Sequence, residues 1–342
     1  MKHFWLAAFI LLPLLSKGQQ GVLPRGYAFA ELSSSARLIG LGSENVSAAN
    51  HDVSLFWANP ALLNEQHHHN LSLGYQGFYR SSLLQASYGY QQAWGTLAAG
   101  VTAWNFGSID GYDEAGVATG SFSTGAFVSS VSYARTQGDF RLGVNVKLAN
   151  NQLVSTGSLA LLTDIGGLYQ HPTKDLRVGV VVSNLGTTFG QQPNGGLPWN
   201  LRLGASFKPQ YMPLRISLTL TDLYRWDIIN YDTITVDVNP APSVAQQLFA
   251  HVVLGGEVVL GENLSLFIGF NPKQRIELGL PSFGGLTGFS LGVEGSIKQF
   301  TLGYGVGFYH LAGGTHQLTL TTDFSRWLTK NRTVDIPIEG LE

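Results

Sequence analysis

Residues 140–149 read Phe-Arg-Leu-Gly-Val-Asn-Val-Lys-Leu-Ala, and the fold follows from how this stretch alternates. Successive side chains of an extended strand point to opposite faces, so Phe140, Leu142, Val144, Val146 and Leu148 share one side. Arg141, Gly143, Asn145, Lys147 and Ala149 share the other. The same period of two recurs at 201–208, 214–221 and 289–298. One face is greasy throughout, and the other is polar or bare. Soluble sandwiches also bury one face per strand, but their strands run to about five or six residues. A strand crossing a membrane needs about 9 to 11 residues, and its backbone groups must all be paired, which only a closed sheet allows.

Working outward, fourteen such segments are predicted: 70–79, 82–92, 95–109, 117–135, 139–151, 157–170, 174–187, 198–208, 212–226, 249–260, 263–273, 286–298, 299–309 and 314–324. The count is even, as single-chain bacterial barrels require. The fold class is therefore all-β, a 14-stranded antiparallel transmembrane β-barrel. Short turns at 94–95, 136–139, 171–174, 209–211, 261–262 and 298–299 alternate with longer connections at 111–116, 151–156, 188–197, 227–248 and 271–285. In outer-membrane barrels the short turns face the periplasm and the long loops face out. A brief helical turn is expected from Val244 to Phe249 inside the longest loop. Trp94, Trp104, Tyr133, Tyr169, Trp199, Tyr211, Tyr224, Trp226 and Tyr309 fall toward strand ends, where an aromatic belt is expected. Val144 and Leu203 should face lipid, and a charge placed at inward-facing Asn145 should cost less than one at either of them.

Composition agrees. Of the 342 residues, 42 are glycine, about 12% against roughly 7% in an average protein. Charged residues are only 12%, about half the usual share, as expected when one face of each strand meets lipid. The absence of cysteine excludes disulfides, thiolate metal sites and a lipidated N-terminal cysteine. A formal charge of -2 gives no footprint for a nucleic-acid backbone. Lys2 and His3, the apolar run from Phe4 to Leu15 and the small residues of Ser16-Lys17-Gly18 read as a signal peptide over 1–18. The remaining chain divides into 19–69, a plug or periplasmic segment, 70–324, the barrel, and 325–342, a charged extension. Segments 33–41 and 52–63 do not alternate, and Asn59-Pro60 marks a turn between short helical pieces. They belong inside the lumen or at its periplasmic mouth.

Candidate chemistry is thin. His67, His68 and His69 are adjacent and so do not share one side of a strand or helix, which favours a polar turn over a metal site. Asp110, Asp113 and Glu114 have a spacing open to calcium, but it also fits an ordinary Gly-rich hairpin. Gly285, Gly288 and Gly292 lack the Lys and Ser of a phosphate loop, and Ser282 with His310 makes no triad. A non-enzymatic protein without cofactor or metal is expected.

Ala36-Arg37-Leu38-Ile39-Gly40-Leu41-Gly42 and Asp52 to Leu63, with Asn59, Pro60 and Ala61 opening an "NPALL" run, resemble the N-terminal signature of the PorV/PorQ family, which is related to the 14-stranded FadL-like barrels. The stretches 107–116, 164–169, 181–186 and 309–314 resemble the PorQ branch over nearly the whole mature chain. That resemblance implies an outer-membrane anchor in the attachment complex of the type IX secretion system. Such an anchor holds a PorZ-like surface protein near a PorU-like sortase and a PorV-like shuttle that join cargo to anionic lipopolysaccharide. The outer loops bearing Asp227, Asp232, Asp237, Pro240 and Phe283 are the expected contact surface, by their length and side of the barrel. The alternative is a FadL-like channel for hydrophobic solutes, which predicts an apolar pocket lined by Phe56, Trp57 and Leu62.

Overall fold

The structure, a computed structural model, describes residues 26–32, 35–78, 80–113, 115–153, 156–190, 196–229, 242–278, 285–310 and 313–325. The signal peptide, Glu114, Asp232, Asp237, Pro240, Ser282, Phe283 and the tail beyond 325 lie outside the described residues.

The described residues form fourteen antiparallel strands closed into one barrel: β1 (Asn70–Phe78), β2 (Ser81–Gln92), β3 (Gly95–Tyr112), β4 (Ala118–Gln137), β5 (Phe140–Leu153), β6 (Thr156–Gln170), β7 (Asp175–Gly190), β8 (Asn200–Lys208), β9 (Leu214–Leu220), β10 (Val252–Leu260), β11 (Leu264–Phe270), β12 (Phe289–Ile297), β13 (Phe300–His310) and β14 (Gly313–Asp323). Each pairs with the next, and the sheet closes where β1 meets β14 in a register running from Asn70↔Asp323 to Gly77↔His316. Three helices accompany the strands: α1 (Ala36–Gly40) before the barrel, and α2 (Val244–Ala250) and α3 (Pro272–Leu278) in the two long outer connections.

Several boundaries differ from the sequence expectation. β9 stops at Leu220 rather than 226, because the chain turns at Asp222 (φ 56°) and Leu223 donates its N–H to Leu201 of β8. β11 stops at Phe270, since Pro272 cannot donate to a ladder and instead opens α3. On the same side, β3, β5 and β7 run on to Tyr112, Leu153 and Gly190, into stretches expected to be loops. β3 and β4 remain paired past their last partners on β2 and β5, so their tip stands beyond the rim as a two-stranded ribbon.

The facing assignments follow the alternation. Val144 and Leu203 are exposed on the outer wall at 42% and 39%, whereas Asn145 is completely buried. Trp94 against Tyr133 and Phe140 against Tyr169, with ring centroids 5.2 and 5.1 Å apart, sit at the short-turn end as a girdle. Trp104 and Tyr309 do not join a belt. They share the inward phase with Gly100 and Gly305: Trp104 stacks on Phe106, and the Tyr309 hydroxyl bonds Ser43 inside the lumen.

That lumen is occupied by residues 26–32 and 35–69. α1 lies against β11–β14, and single turns at Val53–Trp57, Pro60–Leu62 and Glu65–His67 carry the chain across the β2–β6 side. Each turn is capped locally. Asp52, Asn59 and Asn64 accept from Ser54, Ala61 and Gln66 N–H, and Pro60 follows its cap where its missing donor costs nothing.

A Val144→Arg or Leu203→Arg substitution is expected to destabilise the barrel by about 2–4 kcal/mol if the charge lies near the bilayer centre. Burial of Asn145 removes the advantage expected for it: it donates to Asp164 beside the Lys147 ammonium, so an arginine there meets both a cation and a filled space. Denaturant titrations of refolded protein in vesicles should find all three variants comparably impaired.

Candidate functional site: the filled lumen

Glycine on the inner wall marks where the N-terminal segment touches it. A Cβ on Gly143 would strike the Pro60 backbone, one on Gly166 the Asn59 side chain, and one on Gly179 the Val46 carbonyl. Gly269 and Gly305 do the same for Gly42 and Ala36. Gly40 itself lies against Phe267 and the Gly292 backbone. Gly42 turns with φ 96°, a conformation that favours glycine. Wall and segment are therefore in backbone-to-backbone contact, closer than any side chain permits.

Three polar clusters hold the interior. In the first, Arg37 of α1 reaches two wall carboxylates, Glu257 (Nη1–Oε1 2.9 Å) and Glu294 (Nη2–Oε1 2.8 Å), with its guanidinium 4.7 Å over the Phe267 ring. Arg215 takes the other Glu257 oxygen at 2.6 Å and Asp175 at 2.7 Å, and Asn50 donates to Glu294. In the second, Lys147 pairs with Asp164 at 2.7 Å and donates to Asn184 Oδ1. Asn145 and the Asn184 N–H complete the Asp164 shell at an irregularity in the β6–β7 ladder. In the third, Arg202 ties Glu44 of the segment to Ser183 of β7. Removing one partner of such a buried pair costs about 3–5 kcal/mol, because the other charge is left uncompensated.

Part of the lumen is apolar. Tyr27 packs on Val128, Ala149, Ala160 and Leu162, and Phe29 adjoins both this cluster and that of Leu83, Trp104 and Ala126. A gap of about 10 Å³ between Phe29, Trp57, Leu83 and Trp104 holds at most one water. A larger trough of about 570 Å³ lies on the outside of β1–β6, floored by Ala86, Ala99 and Ser129, and faces lipid.

The signature residues come together as parts of one packed segment. Ala36 donates its N–H to Thr319, Arg37 is the pin just described, and Asp52 also accepts from Ser35. The Asn59 amide reaches the Val46 and Gly167 carbonyls. Phe56, Trp57 and Leu62 do not line one pocket: Phe56 and Trp57 face Val53 and Ala98, whereas Leu62 packs with Leu38, Leu55 and Leu168. Asp227 accepts from Gln247 in the outer loops, beside a small core of Ile228, Ile229 and Ala250. Asp113 caps its own hairpin by accepting from Ala115 and Val117. Among the described residues no cluster of three or more potential ligands is arranged to hold a metal ion.

His67 is buried while His68 and His69 remain at the rim. Its Nδ1 accepts from Asn64 N–H, so the proton sits on Nε2 and is donated to Asn50 O. Burial pushes its pKa down to about 4.

No protein-family model and no curated protein sequence matches the chain. Among solved structures, the fold is similar to the Pseudomonas putida toluene transporter TodX, with a TM-score of 0.50 and 12% identity over 89% of this chain and 98% of that one. It is also similar to a TodX deletion mutant described as a monoaromatic hydrocarbon channel, with a TM-score of 0.51 and 12% identity over 86% and 99%. At that identity the likeness is one of fold: an outer-membrane β-barrel.

Gly166→Val is expected to lever Asn59 and Pro60 off the wall, costing about 1–3 kcal/mol. In planar bilayers it should raise conductance while the barrel keeps its heat-modifiable gel mobility. Acid should act through His67. Its folded pKa lies below its unfolded value, so the unfolded chain binds the proton first, and stability falls as pH drops from about 6.5 toward 4. The loss reaches roughly 3 kcal/mol, and thermal unfolding of His67→Gln should lack this component.

Proposed function

We propose that the protein is an outer-membrane channel for small hydrophobic solutes, with the N-terminal segment as the element that must shift for passage. The observation carrying this reading is an apolar patch toward the long-loop end of the inward face of β2–β6, where Leu83, Trp104, Ala126, Val128, Ala149, Ala160 and Leu162 point into the lumen. A water-filled pore lines its lumen with polar groups. An apolar lining suits a solute that leaves water to enter. The fold likeness to a protein described as a toluene transporter supports the same class of cargo. In cells lacking other hydrocarbon channels, expression should raise uptake of labelled toluene, and Val128→Asp or Trp104→Lys should lower it about tenfold at equal surface levels. Uptake unchanged by either variant sinks the reading.

A second reading, the attachment-complex anchor, is favoured by the outer loops. The Ile228, Ile229 and Ala250 core organises α2 as a platform that leaves Val244, Leu248 and Phe249 exposed. Such a platform offers a PorZ-like protein an apolar face, with PorU-like and PorV-like subunits in the same assembly. Affinity isolation from outer membrane should then recover a surface protein that Leu248→Asp releases, and recovery of none overturns it.

A further inference from the structure

At the short-turn mouth the segment and the wall leave a polar cavity of about 340 Å³ that neither reading above uses. It is bordered by Arg141 and Arg177 from the wall, by Gln170 of β6, and by Asn50, Asn64 and Glu65 of the segment. The volume lies at the lower end of the range for small-ligand sites.

The two arginines are poorly compensated. Arg141 donates to Thr136 Oγ1 at 3.0 Å and to the Ala61 carbonyl at 3.4 Å, and it makes no ion pair among the described residues. Arg177 donates to the Ala49 carbonyl at 3.0 Å and meets Asp175 at 3.5 Å, but Arg215 holds that same carboxylate more closely, at 2.7 Å. The Arg177 Nε is buried without a partner. A carbonyl satisfies a donor without neutralising a charge. Glu65 is the acid of the cavity, and it stands exposed at the rim without pairing to either arginine. Asp139 lines an adjoining hollow that shares Arg141 and Gln170, again without an ion pair.

We infer that this mouth is a binding site for a small organic carboxylate entering from the periplasmic side. The guanidinium fork matches the planar oxygens of a carboxylate. Asn50 is held by Glu294 and the Asn64 oxygen caps its own turn, so the Gln170 amide and the Asn64 amino group are the groups best suited to further hydroxyl or amide groups on the ligand. The charges favour a ligand with more than one negative group, and Glu65 sets a threshold against weakly charged ones. This function is separate from the apolar patch on which solute passage is proposed, which lies toward the opposite end of the lumen.

The test is titration calorimetry of the full-length, detergent-solubilised protein with citrate, inorganic phosphate and the uncharged diamide succinamide. Saturable citrate binding that weakens with salt is expected, with about tenfold loss in Arg141→Gln and in Arg177→Gln. Glu65→Gln should bind several-fold more tightly, a gain that a merely structural role for these residues does not produce. Arg141→Lys, which keeps the charge and loses the fork, should fall between wild type and glutamine. Folding of each variant is checked by heat-modifiable mobility. Absence of saturable citrate binding, equal citrate affinity in Arg141→Gln and wild type, or binding of phosphate without citrate overturns the site. Toluene uptake does not read this cavity, so failure here leaves the channel reading standing, and failure of uptake leaves this one.

Discussion

Closure of the sheet is the constraint from which the remaining architecture descends. In hydrocarbon an unpaired strand edge is intolerable, so β1 must find β14, and it does so over eight residue pairs. A closed barrel of about eight strands is filled by its own inward side chains, but the diameter grows with strand number. With fourteen strands the wall cannot fill the interior. Either water or another stretch of chain must do so, and here residues 26–32 and 35–69 occupy the space.

Filling a lumen with irregular backbone creates a second requirement. Peptide groups taken from water need partners, and short turns satisfy only some of them internally. The wall supplies the rest from its polar phase: Ser206 donates to Ser47 O, Ser290 to Gly40 O, Asn271 to Gly42 O and Arg177 to Ala49 O, while Thr319 accepts from Ala36. The polar inner face of these strands is therefore complementary to a chain as well as to solvent. The glycines have the same origin, since they let the two backbones approach closely enough for such bonds to form.

Much of the wall was legible because its rule is local. Alternation over ten residues in 140–149 needs no knowledge of neighbours, and the facing of Val144 and Asn145 follows from it. The strand ends were less legible where a tertiary bond decides them, as when Leu223 turns to pair with Leu201. Trp104 and Tyr309 show the limit of reading by residue type: they looked like belt residues, yet their phase, the same as that of Gly100 and Gly305, puts them inside. The ionic clusters were also missed. Arg202, Glu257 and Glu294 each stand singly on the polar phase of a different strand, tens of residues apart, and only the barrel's curvature brings them to Glu44 and Arg37. The available signal was charge on an inward phase in a chain with few charges, which marks a partner without naming it.

The segment is held by two kinds of contact that respond differently to a guest. Toward β10 and β12 it is held by Arg37 between two carboxylates, a directional arrangement that an apolar molecule cannot replace. Against the apolar patch of β2–β6 it is packed by Tyr27 and Phe29, through contacts that are non-directional and scale with buried area. A hydrophobic solute entering there can cover the wall that these rings leave, so local displacement of the rings exposes little apolar surface to water. On the ionic side, displacement strands buried charges. Under the channel reading proposed above, this division of the lumen into a replaceable patch and an irreplaceable one is what would let a filled barrel accept cargo while the plug stays attached.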